Sequence, residues 1–272
     1  MTATRLVAIL AIVTCAGCGG GGGGEAAPAA PSPTNAPPTA SQQSAGGMWF
    51  ALTGGSTAMT LMIAETGEMC VTAPPTASSG PAYGYGAVVV TGNRVAGSFE
   101  TRAIQPSPMG ATGAELDCTF EGAVTTRVSM QVTVVCTNTA GGSTTTPLTF
   151  LYDSRYDADS SLALIAGNYT MPLNTTGNSL NINGDGTLFG VYQNGPRCTV
   201  NGRVAIVDAN FNLYRFEVLF SGCTVLPQLE GVTMTGFATR DLPGQKAGAF
   251  HLLLTAVVAG RLEFVSVVYE PV

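Results

Sequence analysis

Along most of residues 48–272, apolar and polar side chains alternate with a period of two in short runs rich in Val, Thr, Tyr and Phe. That period belongs to a strand with one buried face and one wet face, the usual state of antiparallel sheet. Ala87–Thr91 runs into Gly92-Asn93 and on into Arg94–Thr101, and such a pair supplies the positive φ of a two-residue hairpin. Val128–Cys136, Leu213–Ser221, Ala249–Val258 and Arg261–Tyr269 read the same way, the last two joined at Ala259-Gly260. In Tyr214-Arg215-Phe216-Glu217-Val218 the charges fall on one face and the large apolar groups on the other. No amphipathic helix of convincing length interrupts the pattern. So many Val/Thr-rich strands would leave aggregation-prone edges unless the sheets closed. The expected fold is therefore all-β: two tandem antiparallel meanders of about eight strands each, closed as small barrels or flattened sandwiches of lipocalin-like strand count.

The duplication rests on three ordered matches. Gly47-Met48-Trp49 parallels Gly167-Asn168-Tyr169. Ile63-Ala64-Glu65-Thr66-Gly67-Glu68-Met69 parallels Ile182-Asn183-Gly184-Asp185-Gly186-Thr187-Leu188. Cys118-Thr119-Phe120-Glu121-Gly122-Ala123-Val124 parallels Cys198-Thr199-Val200-Asn201-Gly202-Arg203-Val204. They place a first β domain at 47–160 and a second at 161–272, joined through Tyr156–Ser160, which reads as polar loop. Trp49 is expected to plug the start of the first module.

The cysteines fit paired hairpins. Cys118 and Cys136 are symmetric about Arg127, and Cys198 and Cys223 about the turn-like stretch Asp208–Asn212. A hairpin folded at either centre brings its two cysteines opposite one another, within disulfide reach. A bulge that shifts the register by one residue is the main risk to either pairing. Cys70 is left over, where the second half has Phe189. A buried apolar cysteine, a reactive thiol and a swapped pairing with Cys118 or Cys136 all remain open for it.

Residues 1–46 have a different character. One basic residue, Arg5, precedes an apolar run from Leu6 to Val13, too short to span a bilayer. Ala16-Gly17-Cys18 follows, then glycine from 19 to 24 and a Pro/Ala/Ser/Thr-rich stretch. Small residues before a cysteine resemble the lipobox of bacterial lipoproteins, although Cys15 stands where that family has Leu; an ordinary secretory signal is the alternative. The resemblance implies a signal peptide at 1–17 and diacylglycerol with a further acyl chain, such as palmitate, on Cys18. Two or more chains hold a protein stably to a membrane without a transmembrane helix. Gly19, in place of the Asp that retains such proteins at the inner membrane, implies the outer membrane, on its periplasmic or surface face. Residues 18–46 lack the apolar surface to fold and are expected to form a disordered tether reaching about 30 Å. The segments Tyr152–Tyr156, Ser161–Thr170, Asp185–Leu188 and Asn212–Tyr214 are also similar to a group of uncharacterised proteobacterial lipoproteins. That resemblance implies a fold type and a cell-envelope address, and no activity.

Composition narrows the chemistry further. A formal net charge of −6 with eleven basic residues spread over 272 gives no footprint for nucleic acid or for anionic lipid head groups. The single histidine, His251, sits in the apolar run Ala249–Leu254, and no nucleophile elbow or phosphate loop is present. No cofactor or metal is expected. Asn181-Ile182-Asn183-Gly184-Asp185-Gly186 resembles the front of a calcium loop, but Tyr192 stands where its acidic ligand belongs, so a β-turn is expected. The sequon-like Asn168-Tyr169-Thr170 and Asn174-Thr175-Thr176 carry no expectation in a bacterial chain. The expectation is a non-catalytic lipoprotein that binds a small apolar ligand or an envelope protein, or organises the envelope. The alternative is a cell-wall or polysaccharide hydrolase using a carboxylate pair such as Asp117 with Glu121 or Asp208 with Glu217. An apolar pocket of a few hundred cubic ångströms inside either barrel would favour small-ligand carriage, and a filled barrel core with an exposed apolar patch would favour protein–protein contact.

Overall fold

The structure, a computed structural model, describes residues 43–53, 56–73, 81–103, 115–171, 177–192, 198–224, 227–241, 246–259 and 261–272. The signal peptide, Cys18, most of the tether and Asn174 lie outside the described residues.

Two closed antiparallel barrels of eight strands each follow one another. The first contains β1 (Gly47–Thr53), β2 (Ser56–Ile63), β3 (Glu68–Ala73), β4 (Ala82–Thr91), β5 (Arg94–Ala103), β6 (Glu115–Thr125), β7 (Ser129–Asn138) and β8 (Ser143–Tyr152). The second contains β9 (Gly167–Thr170), β10 (Ser179–Ile182), β11 (Thr187–Tyr192), β12 (Cys198–Ile206), β13 (Tyr214–Ser221), β14 (Thr233–Arg240), β15 (Phe250–Val258) and β16 (Arg261–Pro271). β1 closes on β8, and β9 closes on β16. The Gly92-Asn93 hairpin is present, with Thr91 opposite Arg94 and Gly92 at φ 62°. The only α-helix among the described residues is one turn, Leu162–Ile165, capped by the Ser161 side chain on the Leu164 amide.

Each barrel opens on the same device. Trp49 Nε1 donates to the Ala45 carbonyl, and Tyr169 OH donates to the Ile165 carbonyl, each four residues back and each at 2.8 Å. Both rings are buried, so the polar end of an otherwise apolar plug is satisfied. The β2–β3 and β10–β11 turns repeat as well. Gly67 and Gly186 sit at φ 89° and 85°, and their carbonyls accept from Val88 and Val204 at 2.8 and 2.7 Å. A Cβ on either glycine would come within 2.4 or 2.5 Å of the valine's carbonyl oxygen, so only glycine allows this close approach.

Strand register then tests the repeat. Trp49 and Tyr169 occupy equivalent places, as do Ile63 and Ile182, and Gly86 and Gly202. The third sequence match does not survive. Cys118–Val124 lies on the sixth strand of its barrel and Cys198–Val204 on the fourth strand of the other. The true counterpart of β12 is β4, fixed by the shared contacts of Val88 and Val204 with the turn glycines. The two segments share a glycine that lies against the next strand's backbone: a Cβ would come within 1.9 Å of the Gln131 carbonyl oxygen at Gly122 and 2.0 Å of the Glu217 carbonyl oxygen at Gly202.

Two further readings change. Gln43–Gly46, read as the end of the tether, are attached to the first barrel: Ser44 N donates to Thr126 Oγ1 and Thr126 N to Gln43 Oε1, both at 2.8 Å. Tyr156, read as part of a polar loop, is 1% exposed in a 3-10 turn (Ser154–Asp157) and stacks on Phe211 at 4.9 Å.

Both interiors are occupied by side chains. Trp49, Met69, Phe99, Phe120, Met130 and Phe150 fill the first barrel. In the second, Phe216, Phe220, Phe250, Leu252, Leu254 and Tyr269 leave an apolar cavity of about 20 Å³. Gly97 makes room for Phe120 in one barrel, whereas Gly236 sits opposite Phe216 in the other.

Candidate functional site

The barrels meet through faces that the alternation rule would expose. On β3 the consecutive residues Met69, Cys70 and Val71 are all buried, as are Leu252, Leu253 and Leu254 on β15. Alternate members of each run fill their own barrel, and the remaining ones, Cys70 and Leu253, pack across the junction with Met48, Met62, Tyr156, Leu213 and Phe237. Strands buried on both sides read as continuous apolar runs, and that was the available signal. The Cys70 thiol is fully enclosed in this layer, and burial pushes its pKa up to about 12, so it is not a reactive thiolate.

Polar contacts ring this layer. Arg102, 1% exposed, donates to the Leu262 carbonyl at 3.0 Å and pairs with Glu263 at 3.2 Å. Arg215 of β13 pairs with Glu68 of β3 and lies over the Phe237 ring at 5.1 Å. Tyr85 donates to the same Glu68 carboxylate at 3.2 Å. The hydrogen bond from Arg215 holds Glu68 below its usual carboxylate pKa. Burial, then the Glu68 charge, raises Tyr85. Tyr83 and Phe264 rings meet at 4.6 Å.

Above this junction the outer side of β3–β6 and the facing strands β14–β16 form a cleft of about 640 Å³. Its walls include Tyr85, Glu100, Asp117, Thr235, Val257 and Leu262. Glu100 stands directly opposite Asp117 across β5 and β6, both exposed. Sequence reasoning did not find this juxtaposition, because residues 104–114 separate the two strands and their register cannot be counted through them.

The pairs named from sequence are arranged differently. Asp117 and Glu121 share β6, four residues apart, so roughly 13 Å separates them along the strand. Asp208 accepts from the Asn210 amide in a turn, whereas Glu217 is held mid-strand by Arg203 at 2.8 Å. Neither pair converges on a cleft. Cys118 and Cys136 are bonded to one another, in register across β6 and β7. Cys198 and Cys223 are also bonded, although their hairpin pairs Thr199 with Ser221. Cys223 is therefore one residue beyond alignment, and Gly222 at φ 64° absorbs the offset. His251 faces outward from β15 and shares a 2.9 Å hydrogen bond with Ser266; burial lowers its pKa to about 4. In the calcium-like turn, Asp185 Oδ1 accepts from the Thr187 amide and hydroxyl, so the turn uses its own acceptor. Among the described residues no three His, Cys, Asp or Glu side chains gather to hold a metal ion, and no helix is long and apolar enough to cross a membrane.

No protein-family model matches the chain, and a search of curated proteins finds no relative.

Proposed function

We propose that this protein is a bacterial outer-membrane lipoprotein, held by acyl chains on Cys18, whose two barrels act without catalysis as a rigid binding or structural unit of the envelope. The observation that carries the binding reading is the state of the interiors. A cavity of about 20 Å³ in the second barrel is no larger than one water requires, and aromatic rings pack the first. A carrier of small apolar molecules needs a space of some hundreds of cubic ångströms. Recognition by this chain therefore falls to its outer surfaces and favours an envelope polymer or protein. The buried layer and the flanking Arg102 and Arg215 pairs support a fixed relation between the barrels, as suits a unit that presents one composite surface. The anchor and address rest on the Ala16-Gly17-Cys18 motif. Mass spectrometry of the mature amino terminus from membranes should find an acylated Cys18, and Cys18→Ser should move the protein to the soluble fraction. An unmodified terminus, or Cys18→Ser protein still in the membrane, would refute the anchor.

The hydrolase reading has one observation in its favour, the Glu100–Asp117 opposition in the inter-barrel cleft. Directly opposed strand residues lie about 4.5–5.5 Å apart at Cβ, near the spacing of a retaining carboxylate pair. A general acid, however, needs an enclosed environment that keeps it protonated, and both side chains here are exposed. Product analysis with Glu100→Gln and Asp117→Asn decides between the readings: cell-wall fragments released by the parent and by neither variant would establish the enzyme.

A further inference from the structure

Register makes the two barrels equivalent position by position, and their corresponding outer faces are used differently. In the first barrel one row of outward side chains runs Met48, Met62, Cys70, Tyr85, Glu100, each directly opposite the next. Its first three members are buried against the second barrel. The corresponding row in the second barrel reads Asn168, Asn181, Phe189, Asn201, Leu219. Here Phe189 is 53% exposed and Leu219 40%. The row borders a groove of about 770 Å³ on the outside of β9–β12. The positional counterpart of a docking face is thus open to solvent.

Its chemistry indicates what it takes. Carboxamides occupy the places of Met48, Met62 and Tyr85, so a second apolar face like that of Phe237 and Leu253 would strip water from amides it cannot bond. Each such loss costs about 1–3 kcal/mol, which argues against another barrel as occupant. Charge complementarity points the same way. Among the described residues the groove is lined by no Asp, Glu, Lys, Arg or His side chain. In the neighbouring row Arg203 and Glu217 neutralise one another. The described side chains of the groove therefore offer no charged partner to an anion or a cation. The amides each supply donors and an acceptor. Asn181 Nδ2 is engaged with Asn168 Oδ1 at 2.7 Å, while Asn181 Oδ1, shielded from solvent in this arrangement, has no partner among the described residues. Asn181 and Asn201 bracket the exposed Phe189 ring across two strand spacings, roughly 10 Å. A sugar ring satisfies both requirements at once: its C–H face lies on the aromatic plane, and its hydroxyls donate to and accept from the flanking amides.

We propose that the outer face of β9–β12, centred on Phe189 and flanked by Asn181 and Asn201, binds an uncharged glycan chain. This gives a ligand class to the binding reading above, on which it rests, and is independent of the lipid anchor. The test is isothermal titration of the full-length protein in detergent with chitohexaose, cellohexaose and maltohexaose. At least one should bind, and Phe189→Ala should weaken it about tenfold or more, the effect of losing one stacking contact. Asn181→Ala and Asn201→Ala should each weaken it less, and Val89→Ala, on the outside of the first barrel, should leave it unchanged. Melting temperatures matched to the parent show that the variants remain folded. Absence of binding to all three sugars, or equal affinity in Phe189→Ala, would overturn the inference. So would self-association of the parent that Phe189→Ala abolishes, since a second copy would then be the occupant. If the bound sugar is also cut into shorter products, the non-catalytic reading fails while the assignment of this face stands.

Discussion

Phe237→Ala tests whether the two barrels form one thermodynamic body. Phe237 projects outward from β14 into the layer between the barrels, is 1% exposed, and carries the Arg215 guanidinium over its ring. Removing the ring forfeits the burial of about 150 Å² of apolar surface, which at about 25 cal/mol per Å² is roughly 3–4 kcal/mol. The lost cation–π contact adds about 0.5–1 kcal/mol, and an uncollapsed cavity can bring the total to about 5 kcal/mol. Because this energy sits between the barrels, its loss should uncouple their unfolding as well as lower stability. Trp49, the single tryptophan, reports on the first barrel alone, whereas far-ultraviolet circular dichroism reports on both. Guanidinium titrations of the oxidised parent should give coincident curves with the two probes, and those of Phe237→Ala should give separated ones. Phe216→Ala, wholly inside the second barrel, should lose comparable stability without removing any contact between the barrels. Coincident curves for Phe237→Ala with a loss below about 1 kcal/mol would refute the reasoning, because such a loss is smaller than the burial alone predicts.

Two other perturbations act at separate places. Removing Cys118–Cys136 or Cys198–Cys223 by paired Ser substitution frees chain closures of 18 and 25 residues, which corresponds to about 3 kcal/mol each with the second slightly larger. Denaturant midpoints of the two double variants should therefore fall by similar amounts, and a negligible fall in either would contradict the closure argument. For His251 the folded pKa of about 4 lies below the ordinary 6.5 because burial disfavours the imidazolium. Between pH 6.5 and 4 the unfolded chain binds a proton that the folded chain does not. Its contribution is thus fully present above pH 6.5, declines through that window and levels off below it, with a total of up to about 3 kcal/mol. Thermal melts across the window should show this slope in the parent and a flatter one in His251→Gln.

What could be read along the chain was whatever depends on neighbours within one hairpin. Alternation located the strands, Gly92-Asn93 located a two-residue turn, and symmetry about Arg127 paired Cys118 with Cys136 correctly because their hairpin is unbroken. The same symmetry about Asp208–Asn212 gave the correct bond between Cys198 and Cys223 but missed the one-residue offset, which a single left-handed glycine conceals. Local similarity failed when it stood in for position. The Cys-Thr-x-x-Gly-x-Val pattern recurs on β6 and β12, where each glycine lies against the backbone of the next strand, and that close approach carries no memory of strand number. Gly67 and Gly186 do carry position, since each fixes a turn to the valine two strands along.

The candidate surfaces were harder to read for a related reason. Whether an outward residue meets water or another barrel is decided by partners far away in sequence, so Met48 and Asn168 hold the same register while one is buried and the other borders a groove. Composition nevertheless records the difference once register is known. Replacing Met48, Met62 and Tyr85 by Asn168, Asn181 and Asn201 converts a face that gains by shedding water into one that loses by it, at about 1–3 kcal/mol for each amide left unpaired. The duplication thus supplies its own control: two copies of one face, one closed by apolar contact within the chain and one kept polar around an exposed Phe189. Two stacked barrels need only one apolar contact face, so what sets the second apart is the exposed Phe189 among its amides. The second face is suited to a hydroxyl-rich partner that brings its own hydrogen bonds.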